Sequence, residues 1–303
     1  MELQQLEEGL YSVVEGEAYM KKINEAADYE AEIKRLLSEE EDAGSYTLQK
    51  TEKDSVEELE NPVFGGNENG EWEGDRVYFG NYGGSPILWR VLDTGEDKLV
   101  LLSEYALENR KFSKEETCVW ETSDLRKWLN GTFLEKTFSL EEQEAILKVK
   151  LQNAENSRYG TDSGKDTVDQ VYLLSWEDCM NESYGFVKGE CDGNPTQSNT
   201  RICYGAGSLD GIALTKVYGK QDLYGNDIIK GEGTVRWWLR TAGFNEKYVC
   251  DVDKYGDVYH HEQLRGAKKA GVRPAITVDK KKVETAGEKN GFPVLVVQKQ
   301  ENR

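Results

Sequence analysis

Arg236-Trp237-Trp238-Leu239-Arg240-Thr241-Ala242-Gly243 and, further along, Gly271-Val272-Arg273-Pro274-Ala275-Ile276-Thr277-Val278 bracket the stretch on which the fold reading turns. Both ends have the composition of strands: bulky or β-branched residues in a short run, with a glycine at the boundary. Residues 244–269 between them are unlike either end. They carry Tyr248, Tyr255 and Tyr259, acids at 246, 251, 253, 257 and 262, and both histidines of the chain, His260 and His261. Two stiff segments that hold a polar, aromatic insert are a way for a scaffold to display a recognition surface. Trp237 and Trp238 are neighbours and therefore point to opposite faces of a strand. Both are expected in the core, one on each side. Arg240 and Arg273 are expected to bridge carboxylates or carbonyls.

Outward from this stretch, 303 residues allow one large domain with an appendage, or two domains. Lys plus Arg number 38 against 57 Asp plus Glu, a formal charge of −19. Such a chain is repelled by phosphate backbones and anionic lipid heads, so no nucleic-acid partner is expected. The five cysteines form no Cys-x-x-Cys pair, which leaves a zinc site without local support. Bridges among Cys179, Cys191 and Cys203 stay open. No run is apolar enough for a membrane helix and no signal-peptide core follows Met1. Two placements follow: a cytoplasmic protein, or the exposed part of a cell-surface protein anchored elsewhere.

The chain divides into a helical segment over 1–40, an acidic flexible linker over 41–74, and a domain over 75–303. Leu3, Leu6, Leu10 and Val13 recur at helical spacing. The linker is rich in Glu, Gly, Asn and Ser and is expected to be exposed. Arg76-Val77-Tyr78-Phe79-Gly80, Ile87-Leu88-Trp89-Arg90-Val91-Leu92-Asp93 and Lys98-Leu99-Val100-Leu101-Leu102-Ser103 make a three-strand meander. In Trp120-Glu121-Thr122-Ser123-Asp124-Leu125-Arg126-Lys127-Trp128-Leu129-Asn130, Ser123 caps a helix that Gly131 is expected to end. Ser139-Leu140-Glu141-Glu142 is a capping box for a second helix, with Ala145, Ile146 and Val149 on its apolar side. Asp169-Gln170-Val171-Tyr172-Leu173-Leu174-Ser175 is a buried strand, residues 185–233 are long loops, and Phe292-Pro293-Val294-Leu295-Val296-Val297 is a last strand.

The pattern Trp120-Glu121-x-Ser123-x-Leu125-Arg126-x-Trp128-Leu129-Asn130, with Trp237-Trp238-Leu239-Arg240-Thr241 and Gly271-Val272-Arg273-Pro274-Ala275, resembles a bacterial domain-of-unknown-function family common in gut Firmicutes. Phe79-Gly80-x-Tyr82 and Trp89-Arg90-Val91-Leu92 resemble its opening. That family is similar in pattern to the C-type-lectin-like fold of formylglycine-generating enzymes and of the variable proteins of diversity-generating retroelements. The resemblance spans about residues 75–278. It implies an α+β, C-type-lectin-like domain with short antiparallel sheets and two or three helices. It also implies that the segment between the two strand motifs bears the binding residues.

The expected function is non-catalytic recognition of a protein or glycan ligand. The expected contacts are Phe244, Asn245, Tyr248, Asp253, Tyr255, Tyr259, His261 and Glu262, with no cofactor. Two alternatives stand beside it: a metal-dependent or formylglycine-generating-type enzyme, and a structural module of a surface assembly. The metal alternative rests on Asp251, Asp253, Asp257 and Glu262, spaced as in an EF-hand loop with Gly256 at its sixth position. Tyr255 is a poor fifth ligand and no helix enters the loop. The same residues read more simply as a β-hairpin that turns at residues 253–256, with Gly256 at positive φ. His260 and His261 face opposite ways on a strand and share no ion. Cys250 has no neighbouring cysteine to form the reactive pair of the formylglycine enzymes. The chain also lacks a nucleophile elbow and a histidine outside the insert to act as base.

Overall fold

Val77, Phe79, Trp89, Val91, Leu99 and Leu101 alternate along three consecutive runs and are all buried. Their alternate neighbours Tyr78, Leu88, Leu92, Val100 and Leu102 are buried too, so this sheet is covered on both faces. The structure is a computed structural model that describes residues 55–115, 117, 119–188, 199–206, 234–264 and 270–298, with the backbone alone at 261–264. The expected helical segment over 1–40 lies outside the described residues. So do 189–198 and 207–233 of the expected loops. The chain divides into two units, residues 1–48 and 49–303, and the described residues belong to the second.

Strands dominate. In chain order they are β1 (Arg76–Tyr82), β2 (Ser85–Thr94), β3 (Lys98–Ser103), β4 (Tyr105–Ala106), β5 (Glu108–Asn109), β6 (Val149–Leu151), β7 (Thr167–Asp169) and β8 (Val171–Tyr172). Then come β9 (Tyr204–Gly205), β10 (Trp237–Ala242), β11 (Tyr248–Val252), β12 (Val258–Leu264), β13 (Gly271–Val272), β14 (Ala275–Asp279), β15 (Val283–Lys289) and β16 (Phe292–Val297). The helices are short: α1 (Asp124–Trp128), α2 (Leu134–Thr137), α3 (Leu140–Ala145) and α4 (Trp176–Cys179). This is the expected α+β content. No described helix is long and apolar enough to cross a membrane.

A seven-stranded sheet runs β15-β16-β1-β2-β3-β14-β8, and a five-stranded sheet runs β12-β11-β10-β13-β5. The Gly271–Val278 motif splits between them. Gly271 and Val272 pair with Asn109 and Glu108 in the smaller sheet, while residues from Ala275 on pair with β3 in the larger. Pro274 sits at this crossing, where its carbonyl accepts from Ser103 N at 2.9 Å. Trp237 and Trp238 are both fully buried and face opposite ways, as expected. The Trp237 indole donates to Arg201 O, and the Trp238 indole to Arg110 O beside Phe112. Arg273 donates to Ser103 O at 2.8 Å, and Arg240 donates to Leu173 O and Asp178 at 2.8 and 2.6 Å.

Three expectations need correction. Gly131 does not end the helix that Ser123 caps. The chain continues through a π turn at Leu129–Phe133 into α2. The widened turn lets Asn130 donate to Val171 O at 2.8 Å and accept from Gln170 N and Val171 N, which ties the helix to β8. The second helix has the expected capping box, but it stops at Ala145, and Val149 opens β6. The described part of the expected linker, residues 55–74, packs on the domain. Val56, Leu59 and Trp72 are buried, and the Trp72 indole donates to Tyr184 O at 2.8 Å. Composition hides this because a few buried anchors are enough to hold a polar strap.

Beneath Trp72 lies a buried charge network. Glu104 is fully buried and pairs with Arg76 at 2.9 Å and Arg90 at 2.8 Å. Both guanidinium groups stack on the Trp72 ring, at 4.9 and 4.8 Å. Burial alone would raise the Glu104 carboxyl, but Arg90 and Arg76 hold it well below the usual carboxylate range.

Candidate functional site

The insert is a hairpin at the edge of the smaller sheet. β11 and β12 pair antiparallel with Val252 opposite Val258, and the turn closes through Gly256 at φ 89°. Asp253 N donates to Asp257 O at 2.8 Å, and the Asp253 carboxylate accepts from Tyr255 N and Asp257 N at 2.8 and 3.0 Å. Burial, and then the Asp257 carboxylate, push the Asp253 acid up to about 6. Asp251, also buried, is ion-paired with Arg236. Of the carboxylates of the calcium alternative, Asp253 thus serves the turn and Asp251 an ion pair. Among the described residues, no three His, Cys, Asp or Glu side chains gather as a metal site.

At the opposite end of β11, residues 243–248 return the chain from β10. Asn245 accepts at its side chain from Lys247 N at 2.9 Å, and its carbonyl accepts from Tyr248 N at 3.1 Å. Phe244 N reaches His260 O at 2.7 Å. A Cβ on Gly243 would stand 2.4 Å from that same oxygen, so this approach requires glycine. The Phe244 and Tyr248 rings lie 4.6 Å apart, and Tyr159 meets Phe244 edge-on at 6.0 Å. Phe244 and Tyr159 are exposed by 38% and 43%, which places a contiguous aromatic patch at the surface.

The backing of this patch comes from residues 153–164, which were not among the expected site residues. Asn156 Nδ2 donates to Ala242 O at 2.8 Å, and Ser163 Oγ accepts from Ala242 N at 3.1 Å. The Asn156 side-chain oxygen accepts from Arg158 N and Tyr159 N, so its nitrogen is the end that faces His260 Nδ1 at 3.0 Å. His260 Nδ1 is therefore the acceptor in that contact. His260 is itself packed between Tyr159 at 5.6 Å and Trp176 at 5.8 Å. The available signal was Asn156-Ser157-Arg158-Tyr159-Gly160, an Asx-turn composition in a loop that bears an aromatic residue.

Cys250 completes a thiol–imidazole–amide set, with Sγ 3.4 Å from His260 Nδ1 and 3.2 Å from Ala242 O. The geometry does not make a nucleophile. A relay needs the thiol on one ring nitrogen and the amide on the other, and here both meet Nδ1. Burial, and then Asp251, push the thiol well above its ordinary range, so it stays protonated. Cys179 and Cys203 are likewise free and buried.

The eight expected contacts do not form one surface. Phe244, Asn245 and Tyr248 come together. Asp253 is buried in the turn. Tyr255 lies beside Lys254 at the far end of β11, about 17 Å away by strand rise. Tyr259 pairs across from Asp251, on the face opposite Cys250 and His260, with Arg236 at 5.8 Å from its ring. His261 and Glu262 lie on β12, and their side chains are outside the described ones. A family model for a domain of unknown function, DUF6273, matches residues 96–280. No curated protein and no solved structure matches the chain.

Proposed function

We propose that this chain, which belongs to the DUF6273 family of domains of unknown function, is a non-catalytic recognition domain of C-type-lectin-like type that binds a protein or glycan ligand. The observation that carries this reading is the patch of Phe244, Tyr248 and Tyr159, whose surface rings are backed by a buried hydrogen-bonded layer. Rings held this way lose little freedom on binding. Asn245 and Lys247 supply polar contacts at the rim. Asp253 leaves the contact set because it is buried in the turn, whereas Tyr255 and Tyr259 stand apart from the patch and would serve only a broad ligand.

The test is a glycan and protein array on the full chain, followed by calorimetry with any ligand found. Replacing Phe244, Tyr248 or Tyr159 singly by alanine is expected to cost about 2 kcal/mol of binding where the residue is a hot spot, with the melting temperature little changed. Array ligands that bind all three variants as tightly as the parent would overturn the reading.

A further inference from the structure

A second site lies away from the hairpin, between the segment that leaves β5 and helix α1. The cleft there has a volume of about 240 Å³. Leu125 and Trp128 form its apolar wall, and Arg110, Lys111 and Lys114 surround it. Drug-sized pockets run to roughly 300–1,000 Å³, so this one has room for about a single ring.

The charges around the cleft are unevenly committed. Glu108 accepts from the Tyr82 hydroxyl and pairs with Arg110. Asp124 accepts from Lys114 N at 2.9 Å. Glu108 is thus paired within the protein and Asp124 is held by a backbone amide while keeping its charge, whereas neither Lys111 nor Lys114 forms an ion pair among the described residues. Arg110 is the informative group. Its guanidinium lies 4.2 Å from the Trp128 ring centre, and its Nε is 2.9 Å from Glu108 Oε1. That ion pair is not aligned as a hydrogen bond, and the buried Nε has no hydrogen-bond acceptor among the described residues. A guanidinium held over an indole, with its terminal N–H groups left to donate, suits a planar two-oxygen acceptor. In a chain of formal charge −19, three cations around one ring-sized cleft, two of them without an ion pair among the described residues, are a local excess of positive charge.

We propose that this cleft binds a small organic anion, with a carboxylate or phosphate head on Arg110 and Lys114 and a single-ring body against Trp128 and Leu125. The full chain is titrated at constant pH and ionic strength with benzoate, phenyl phosphate, acetate and benzyl alcohol, followed by calorimetry. Saturable binding of benzoate or phenyl phosphate, with acetate and benzyl alcohol at least tenfold weaker, is the expected result. Whichever of the two anions binds more tightly identifies the head group. Arg110→Gln and Lys114→Gln should each weaken that anion, Arg110→Gln by about tenfold or more. Lys114 is exposed, so its variant remains folded and keeps the test valid if Arg110→Gln does not. The proposal is overturned if neither anion saturates, if benzyl alcohol binds as well as benzoate, or if the folded variants bind like the parent.

Discussion

Asp253 shows how one residue can be well placed for structure and poorly placed for its own charge. Its carboxylate holds the hairpin turn through two backbone N–H groups, yet burial raises its acid from 3.8 to about 6. The folded state therefore holds this proton more tightly than the unfolded chain does. The stability contributed is complete below pH 3.8 and is lost as pH rises through about 6. Asparagine keeps the accepting oxygen and removes the charge. Asp253→Asn is expected to be more stable than the parent at pH 8, by about 2 kcal/mol, and nearly equal to it at pH 4. Urea unfolding at the two pH values checks this, and the same difference at both would refute it.

Among the elements, the strap over residues 55–74 and the hairpin at residues 248–264 teach opposite lessons. The hairpin was legible because its information is local: apolar residues on either side of an acid-and-glycine turn specify both strands and their register. The meander of β1 to β3 was legible for the same reason. The strap was not, because Val56, Leu59 and Trp72 are too few to alter its composition, and their partners lie far along the chain. The candidate site was half legible on the same grounds. Phe244 and Tyr248 sit in the insert, but Tyr159 and Asn156 reach it from 86 residues away in the case of Asn156 and Ala242. No local pattern announces such a contact. Trp72→Ala is expected to cost about 3–5 kcal/mol, the usual range for emptying a buried Trp site. Limited proteolysis checks the same point. The parent should resist cleavage over residues 55–74, and the variant should be cut there early.

For the whole molecule, Glu104 is the shared anion. It joins β1 through Arg76 and β2 through Arg90, and its backbone carbonyl accepts from Arg273 at 3.4 Å beside β13. Glu104→Gln leaves two buried guanidinium groups short of a charge and is expected to cost about 3–5 kcal/mol. Because the Glu104 acid is held low, its stabilisation is present above its ordinary value of 4.5 and is lost as pH falls below it. Its pH dependence is thus opposite in sign to that of Asp253. Denaturant melts of the variant from pH 7 down to pH 3 should show its deficit shrinking on acidification. A deficit that stays constant would show that Glu104 acts by shape alone. The same large sheet has another property, fixed by β1 and β16, which lie side by side and parallel with Tyr78 opposite Val294. A ribosome makes β1 early and β16 more than two hundred residues later, as their positions in the chain require. Throughout that interval β1 has β2 on one side and an open row of amides on the other. The nascent sheet is an unguarded template until residues 292–297 emerge. Stalled or prematurely terminated chains should therefore be the aggregation-prone species, and holding β1 in reserve is a task for whatever meets the chain at the tunnel exit.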